Sequence, residues 1–114
     1  ENLKYAGSNN LYKVGWYGEN SHGETKLVGL LKPNQLGIYD MSGNVWEWCS
    51  SLYKPYPYKA NDGRENMKDE GDYRMCRGGS WLNIATNCRL ASRDYGTPAD
   101  MLIKLGFRLA LTSV

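Results

Sequence analysis

The segment Gly37-Ile38-Tyr39-Asp40-Met41-Ser42-Gly43-Asn44-Val45-Trp46-Glu47-Trp48 constrains this chain more than any other feature. It is answered downstream by Arg77-Gly78-Gly79-Ser80-Trp81 and by Leu105-Gly106-Phe107-Arg108. Glycine supplies the turn conformations that other residues resist, and the large aromatics supply buried area. Three such signatures, in this order, point to one fold. A chain of 114 residues makes a single domain around a single core.

The residues around the motifs favour an irregular, loop-rich architecture, with 13 Gly and 9 Tyr against a single Phe. Long helices are not expected, and only Glu24 to Leu31 offers a brief helical turn. Period-two alternation predicts strands at Tyr73 to Arg77, Cys88 to Arg93 and Phe107 to Leu111. In the last, Phe107, Leu109 and Leu111 share one face while Arg108 and Ala110 share the other, the pattern of a half-buried closing strand. Tyr56 to Glu70, with Pro57, Asn61-Asp62-Gly63 and a run of charges, is expected to be a long surface loop. Trp46, Trp48 and Trp81 are read as core.

Charge excludes some partners. Lys plus Arg number 14 against 12 acids, a net charge of +2, which is too small and scattered for a nucleic-acid footprint. No apolar run approaches the roughly 20 residues that span a bilayer, and Glu1-Asn2-Leu3-Lys4 lacks a signal-peptide layout, so the chain reads as soluble with no membrane insertion. Cys49, Cys76 and Cys88 show no Cys-x-x-Cys spacing, which argues against zinc. One disulfide plus a free thiol and three buried thiols both fit the count, and burial is expected for Cys49 and Cys88.

A tight turn at Ser42-Gly43-Asn44 that leads into an extended strand lets oxygens of Asp40, Gly43, Val45 and Glu47 converge. Calcium takes about six to eight oxygens, mixing carboxylates with carbonyls, so this is a hard-cation site in outline. On chemistry alone, a turn-forming Asp and a surface Glu account for the same residues.

The three motifs resemble the formylglycine-generating-enzyme family, also called sulfatase-modifying factors, whose domain is a variant of the C-type lectin fold. The resemblance runs from about Gly15 to the end of the chain. It implies an α+β, C-type-lectin-like domain, loop-rich, with short antiparallel strands and little helix. It also implies a structural calcium ion held by the side chains of Asp40 and Glu47 and the carbonyls of Gly43 and Val45. Arg93 and Arg108 resemble the family's framework arginines, which organise loops through carboxylate or carbonyl partners. Family domains are usually longer, with an N-terminal strand and helix before the part seen here, and a homo-oligomer is one expectation for the apolar surface left open.

The oxygen-dependent enzymes of this family use a cysteine pair shortly after the Gly-Gly-Ser-aromatic motif, which holds copper and exchanges with the substrate thiol. Counting from Gly78, the two positions fall on Asn83 and Cys88. The Cys88 match is read as false, because Cys88 to Arg93 aligns better with a later strand. One thiol cannot form the paired soft-ligand site that Cu(I) prefers, so no copper is expected. His22, the only histidine, sits in a turn-like segment without a partner and is read as a solvent-exposed loop residue. Asp69, Glu70 and Asp72 are read as a solvated loop face. No catalytic residue is assigned.

The same fold serves the variable proteins of diversity-generating retroelements, which display ligand-binding residues on a fixed scaffold. Their C-terminal outline resembles Gly78 to Trp81, then Leu82 to Cys88, Arg89-Leu90-Ala91-Ser92-Arg93, Asp94 to Lys104 and Gly106 to Arg108. This resemblance implies a ligand-binding region over residues 82–104. Its candidate positions are Leu82, Asn83, Ile84, Thr86, Asn87, Leu90, Ser92, Asp94, Tyr95, Gly96 and Thr97, residue types that adenine mutagenesis of Asn codons can yield. Met101 and Lys104 fall outside that set. The implied partner is a protein or glycan, and calcium together with a possible disulfide favours a cell-surface, secreted or virion-surface location. A formylglycine-generating enzyme or related oxidase, and an accessory domain with a fixed protein partner, are the alternatives. Tyr53-Lys54-Pro55-Tyr56-Pro57-Tyr58 is a second candidate surface, stiffened by its prolines, unless its tyrosines simply fasten a long loop to the body.

Overall fold

The protein is described here from a computed structural model, which covers residues 2–59, 61–66, 68, 73–97 and 102–110. A four-stranded sheet organises it. The strands are β1 (Trp46–Leu52), β2 (Arg74–Arg77), β3 (Asp94–Gly96) and β4 (Leu105–Gly106), in the spatial order β3-β2-β1-β4. β1 and β2 are antiparallel, with Glu47 opposite Arg77 and Trp48 opposite Cys76, and a bulge lies between Trp48 and Leu52. β3 runs antiparallel to β2, placing Tyr95 opposite Met75. β4 is parallel to β1. Helix is confined among the described residues to 3₁₀ turns at Leu11–Lys13 and Ala85–Cys88, the first started by Asn10, whose side chain accepts the Tyr12 amide.

The three sequence motifs meet one another. The Gly43 amide donates to the Gly78 carbonyl at 2.5 Å, the Trp81 amide to the Asn44 carbonyl at 2.8 Å, and the Trp46 amide to the Lys104 carbonyl at 2.7 Å. Asn44 in turn donates to the Trp16 carbonyl at 2.7 Å, and a Cβ on Gly43 would meet the Trp16 nitrogen at 2.7 Å. Glycine at position 43 (φ +86°) is therefore required twice, by conformation and by the close approach of another backbone. A small core of Tyr5, Leu11, Val14, Tyr17 and Cys88 closes the N-terminal segment over this junction.

The strand at 74–77 lies where alternation predicts it, whereas two other expectations need correction. Cys88 to Arg93 is not a strand. The 3₁₀ turn holds Cys88 in the core, the amides of Arg89 and Ser92 return to the carbonyls of Thr86 and Arg89, and β3 starts only at Asp94. The described part of Phe107 to Leu111, residues 107–110, does not form the expected closing strand either. Pairing ends at Gly106, Phe107 and Leu109 are 74% and 90% exposed, and Leu111 lies outside the described residues. β1 runs on to Leu52 beside this segment, but the pairing stops at Gly106, and Arg108 is tied instead to Glu47 and the Asp40 carbonyl.

Glu24 to Leu31 is not helical. The Lys26 backbone is hydrogen-bonded at both its N–H and C=O to the Asn44 side-chain amide, and the Gly29 amide goes to Asp40, so the local i to i−4 pattern never forms. Trp46 is buried as expected, while Trp48 and Trp81 are half-buried. The three cysteines are free. Cys76 and Cys88 are buried and Cys49 is half-exposed, and because Trp48 faces Cys76 across the ladder, Cys49 projects from the opposite side of the sheet.

Candidate functional site

The Asp40 turn is built from left-handed residues: Asp40 (φ 58°), Gly43 (φ 86°) and Asn44 (φ 67°). That backbone turns the Asp40 carboxylate inward. Its Oδ2 accepts the Gly29 amide at 2.8 Å, while its Oδ1 is buried with no hydrogen-bond partner. Glu47, on β1, takes both charged donors of Arg108 at 2.8 and 2.7 Å, and Arg108 also donates to the Asp40 carbonyl at 2.9 Å. This pairing with Glu47 raises the Arg108 pKa. A cleft of about 400 Å³ opens beside the turn, with Val28, Tyr39, Val45 and Phe107 in its walls.

Among the described residues no group of three or more His, Cys, Asp or Glu side chains converges, so a cation here would depend on carbonyl oxygens as well as Asp40 and Glu47. The donor set fits calcium in one specific respect. The orphaned Asp40 Oδ1 is a buried oxygen lacking a partner, which is costly unless something binds it. A bidentate arginine also leaves lone pairs free on the Glu47 carboxylate. Sequence reasoning missed Asn44, whose side chain clamps Lys26. Its signal was the residue type itself, since asparagine tolerates positive φ.

Asn83 and Cys88, the two positions that count forward to the family's cysteine pair, have structural partners. The Asn83 side-chain oxygen accepts from the Trp46 indole at 2.8 Å and from the Ser80 hydroxyl at 2.6 Å. Cys88 is fully buried under Gly79, and burial pushes its thiol up to about 11 against the lowering effect of a hydrogen bond from the Ser80 backbone. His22 lies exposed in the loop, with φ 58°. Asp69, Glu70 and Asp72 are outside the described residues.

The candidate ligand positions occupy three neighbourhoods. Leu82 and Ile84 are exposed beside the Gly18 amide, which donates to the Asn83 carbonyl at 2.8 Å. Thr86, Asn87, Leu90 and Ser92 surround the second 3₁₀ turn, where the Ser92 hydroxyl donates to the Thr86 carbonyl and the Leu90 amide to Lys4. Asp94, Tyr95 and Gly96 form the edge strand β3, with Thr97 just after it.

The third neighbourhood merges with the second candidate surface. The Tyr95 ring lies 4.6 Å from Tyr53 and 4.7 Å from Tyr73, centroid to centroid. The Arg93 guanidinium sits 5.0 Å from the Tyr53 ring and 4.0 Å from the Tyr56 ring, and Arg77 donates to the Tyr56 hydroxyl at 2.8 Å. Two segments about 40 residues apart in sequence thus form one surface. Arg64, only 2% exposed, holds the loop in place by bonding Asp62 and the carbonyls of Pro55 and Pro57. Glu65 accepts from Ser50, Ser51 and Tyr58.

Known proteins resemble this chain in sequence and in fold. The family profile described as a sulfatase-modifying factor enzyme 1-like domain matches residues 2–113. The formylglycine-generating enzyme of Streptomyces coelicolor is 36% identical over 96 residues, covering 81% of this chain and 31% of that protein. Mouse inactive C-alpha-formylglycine-generating enzyme 2 is 33% identical over 94 residues, covering 78% of this chain and 26% of its own length. The structure of Treponema denticola variable protein 1 superposes with a TM-score of 0.78 at 32% identity, covering 93% of this chain and 40% of that one. The chain therefore spans 26% to 40% of the length of these relatives. It has the C-type-lectin-like α+β fold and belongs to the formylglycine-generating-enzyme, or sulfatase-modifying-factor, family.

Proposed function

We propose that this domain recognises a ligand and is not an oxidase, with recognition concentrated between Trp81 and Leu105 on a scaffold of the formylglycine-generating-enzyme type. One observation carries the reading. Cys88 is a core thiol, fully buried and raised well above neutrality, and Asn83 stands in the other counted position as a hydrogen-bond acceptor for Trp46. Thiol exchange needs an accessible thiolate, which this environment opposes. The likeness to a variable protein and to an inactive family member is compatible with such a role. Calcium, held by Asp40, Gly43, Val45 and Glu47, would supply electrostatic stabilisation of the turn that joins the three motifs.

The competing reading, an oxidase of the same family, draws on the 36% identity to the Streptomyces coelicolor enzyme. Oxygen consumption by the purified protein, supplied with Cu(I) and a cysteine-containing peptide, separates the two. No thiol-dependent uptake is expected, and uptake abolished by Cys88→Ala would establish the oxidase. Sequencing codons 77 to 114 across a natural population then tests how the loops are used. Variation confined to the codons between Trp81 and Leu105 marks a diversified receptor, whereas a uniform sequence marks a fixed partner.

A further inference from the structure

We infer that the ribbon formed by Tyr73, Tyr95, Tyr53, Arg93, Tyr56 and Arg77 is a docking surface for a protein segment that presents carboxylates. The inference rests on the ligand-binding reading above and names the partner's chemistry. The six side chains make an unbroken series of ring stacking, guanidinium stacking and one hydroxyl bond, contributed by β2, β3, their flanks and the loop after β1. Sheet geometry explains part of the alignment. Arg77 and Met75 lie two apart on β2, Tyr95 is opposite Met75, and Arg93 is two residues before Tyr95, so these side chains share one face.

Three properties turn this face into a recognition surface. It is open, since the four tyrosines are between 39% and 58% exposed. It is preorganised, because Arg64 and Glu65 fasten the loop that carries Tyr53 and Tyr56, which reduces the ordering cost of binding. Among the described residues it carries two guanidinium groups with no ion pair of their own, and Glu47, opposite Arg77 on β1, is held by Arg108. The ion pairs among the described residues are Lys26 with Glu24, Arg64 with Asp62 and Arg108 with Glu47. Arg77 and Arg93 instead spend donors on neutral acceptors, the Leu90 carbonyl, the Tyr56 hydroxyl and the Lys54 carbonyl.

The same features choose among partners. Fixed side-chain donors dominate the face, and the nearby acids among the described residues are engaged, Asp94 by the Tyr95 amide, Asp62 by Arg64, Glu47 by Arg108 and Glu65 by Ser51 and Tyr58. Sugar hydroxyls need fixed acceptors as well as donors, whereas a carboxylate matches a guanidinium fork. Tyrosine and arginine are also the side chains enriched at the energetic centres of protein interfaces. Because Asp94 already satisfies the Tyr95 amide at 2.8 Å, β3 withholds that donor from strand addition, and recognition falls to side chains.

The test is to pan a phage-displayed random peptide library on the full chain and to measure the enriched peptides by fluorescence anisotropy. Enriched sequences should place Asp or Glu beside aromatic or aliphatic residues, and binding should weaken as salt rises. Tyr95→Ala and Arg77→Gln should each weaken binding at least tenfold. Tyr95→Phe should retain it, and Arg93→Lys, which keeps the charge but loses the planar stack, should weaken it. Thermal melting of each variant checks that the fold survives. Enrichment without acidic residues, no enrichment, capture of heparin in place of peptide, or indifference to Tyr95→Ala and Arg77→Gln would overturn the inference. Binding lost only in a Leu82→Ala/Ile84→Ala variant keeps the domain a binder and moves the surface elsewhere, while thiol-dependent oxygen uptake sinks the ligand-binding reading itself.

Discussion

The guanidinium of Arg93 stacks 4.0 Å from the ring of Tyr56, joining the residue just before β3 to the loop that follows β1. Its Nη1 also donates to the Lys54 carbonyl at 2.8 Å, so one side chain fastens both the rings and the backbone of that loop. Arg93→Ala removes all of these contacts. A stability loss of about 1 to 2 kcal/mol is expected, given that cation–π contacts contribute about 0.5 to 2 kcal/mol and hydrogen bonds a similar amount. Urea denaturation measures it, and an unchanged midpoint would show that the stack contributes nothing.

Gly79 (φ +74°) lies against Cys88, and a Cβ there would meet the Cys88 Cα at 2.8 Å and the Asn87 carbonyl oxygen at 3.0 Å. Gly79→Ala should destabilise by at least about 3 kcal/mol, since left-handed strain alone costs roughly 1 to 3 kcal/mol and backbone overlap adds to it. Cys88→Ala should not rescue the variant, because the obstruction is main chain as well as sulfur. Recovery of the wild-type melting temperature in the double variant would contradict this geometry.

Acid should release the 53–66 loop before it unfolds the sheet. Hydrogen bonds from Ser51 and Tyr58 hold Glu65 below its ordinary 4.5, and Arg64 holds Asp62 at about 2, against an ordinary 3.8. Both folded pKa values are depressed, so the unfolded loop binds protons more readily. The stabilisation is therefore complete above about pH 4.5 and is lost as pH falls toward 2. Tyrosine resonances of the loop, followed by NMR, should shift within that window. Glu65→Gln should move the onset to lower pH, toward the Asp62 transition, and weaken the loop at neutral pH.

The calcium proposed for the Asp40 turn predicts a chelator-sensitive protein. Removing the metal should lower the melting temperature by several degrees, because a ligand bound only to the native state stabilises it by mass action. Asp40→Ala should melt low and be indifferent to chelator. Atomic absorption that finds no calcium in the native protein, with no chelator effect on melting, removes the metal from the account.

Thiol labelling should distinguish the cysteines. In denaturant all three should react, consistent with free thiols. Under native conditions Cys49, half-exposed, should label first, though slowly because burial raises its pKa, and Cys88 last. A disulfide detected by mass spectrometry of the non-reduced protein would contradict the free-thiol structure.

The motif residues were legible because their requirements are local. Gly43 and Asn44 are types that accept positive φ, and the three motifs carry a family resemblance strong enough to imply the fold. The strand at 74–77 was legible for the same reason, since alternation is a property of neighbours. Phe107 to Leu111 shows the limit. Its alternation is genuine, but alternation does not fix where pairing with β1 ends, and beyond Gly106 Arg108 is tied to Glu47 and the Asp40 carbonyl. Likewise Glu24 to Leu31 has helical spacing, yet Asn44 and Asp40 capture its backbone from 11 to 18 residues away.

By itself, then, the sequence determined the family and the turn chemistry, both of which depend on residue identity and short spacing. Only the tertiary structure decided that Tyr95 and Tyr56 belong to one surface, that Arg93 joins them, and that Cys88 is sealed in the core. Those facts depend on strand register and on which chain segments cross. They are set by long-range hydrogen bonds such as Arg93 to Lys54, across 39 residues, and no local pattern encodes them.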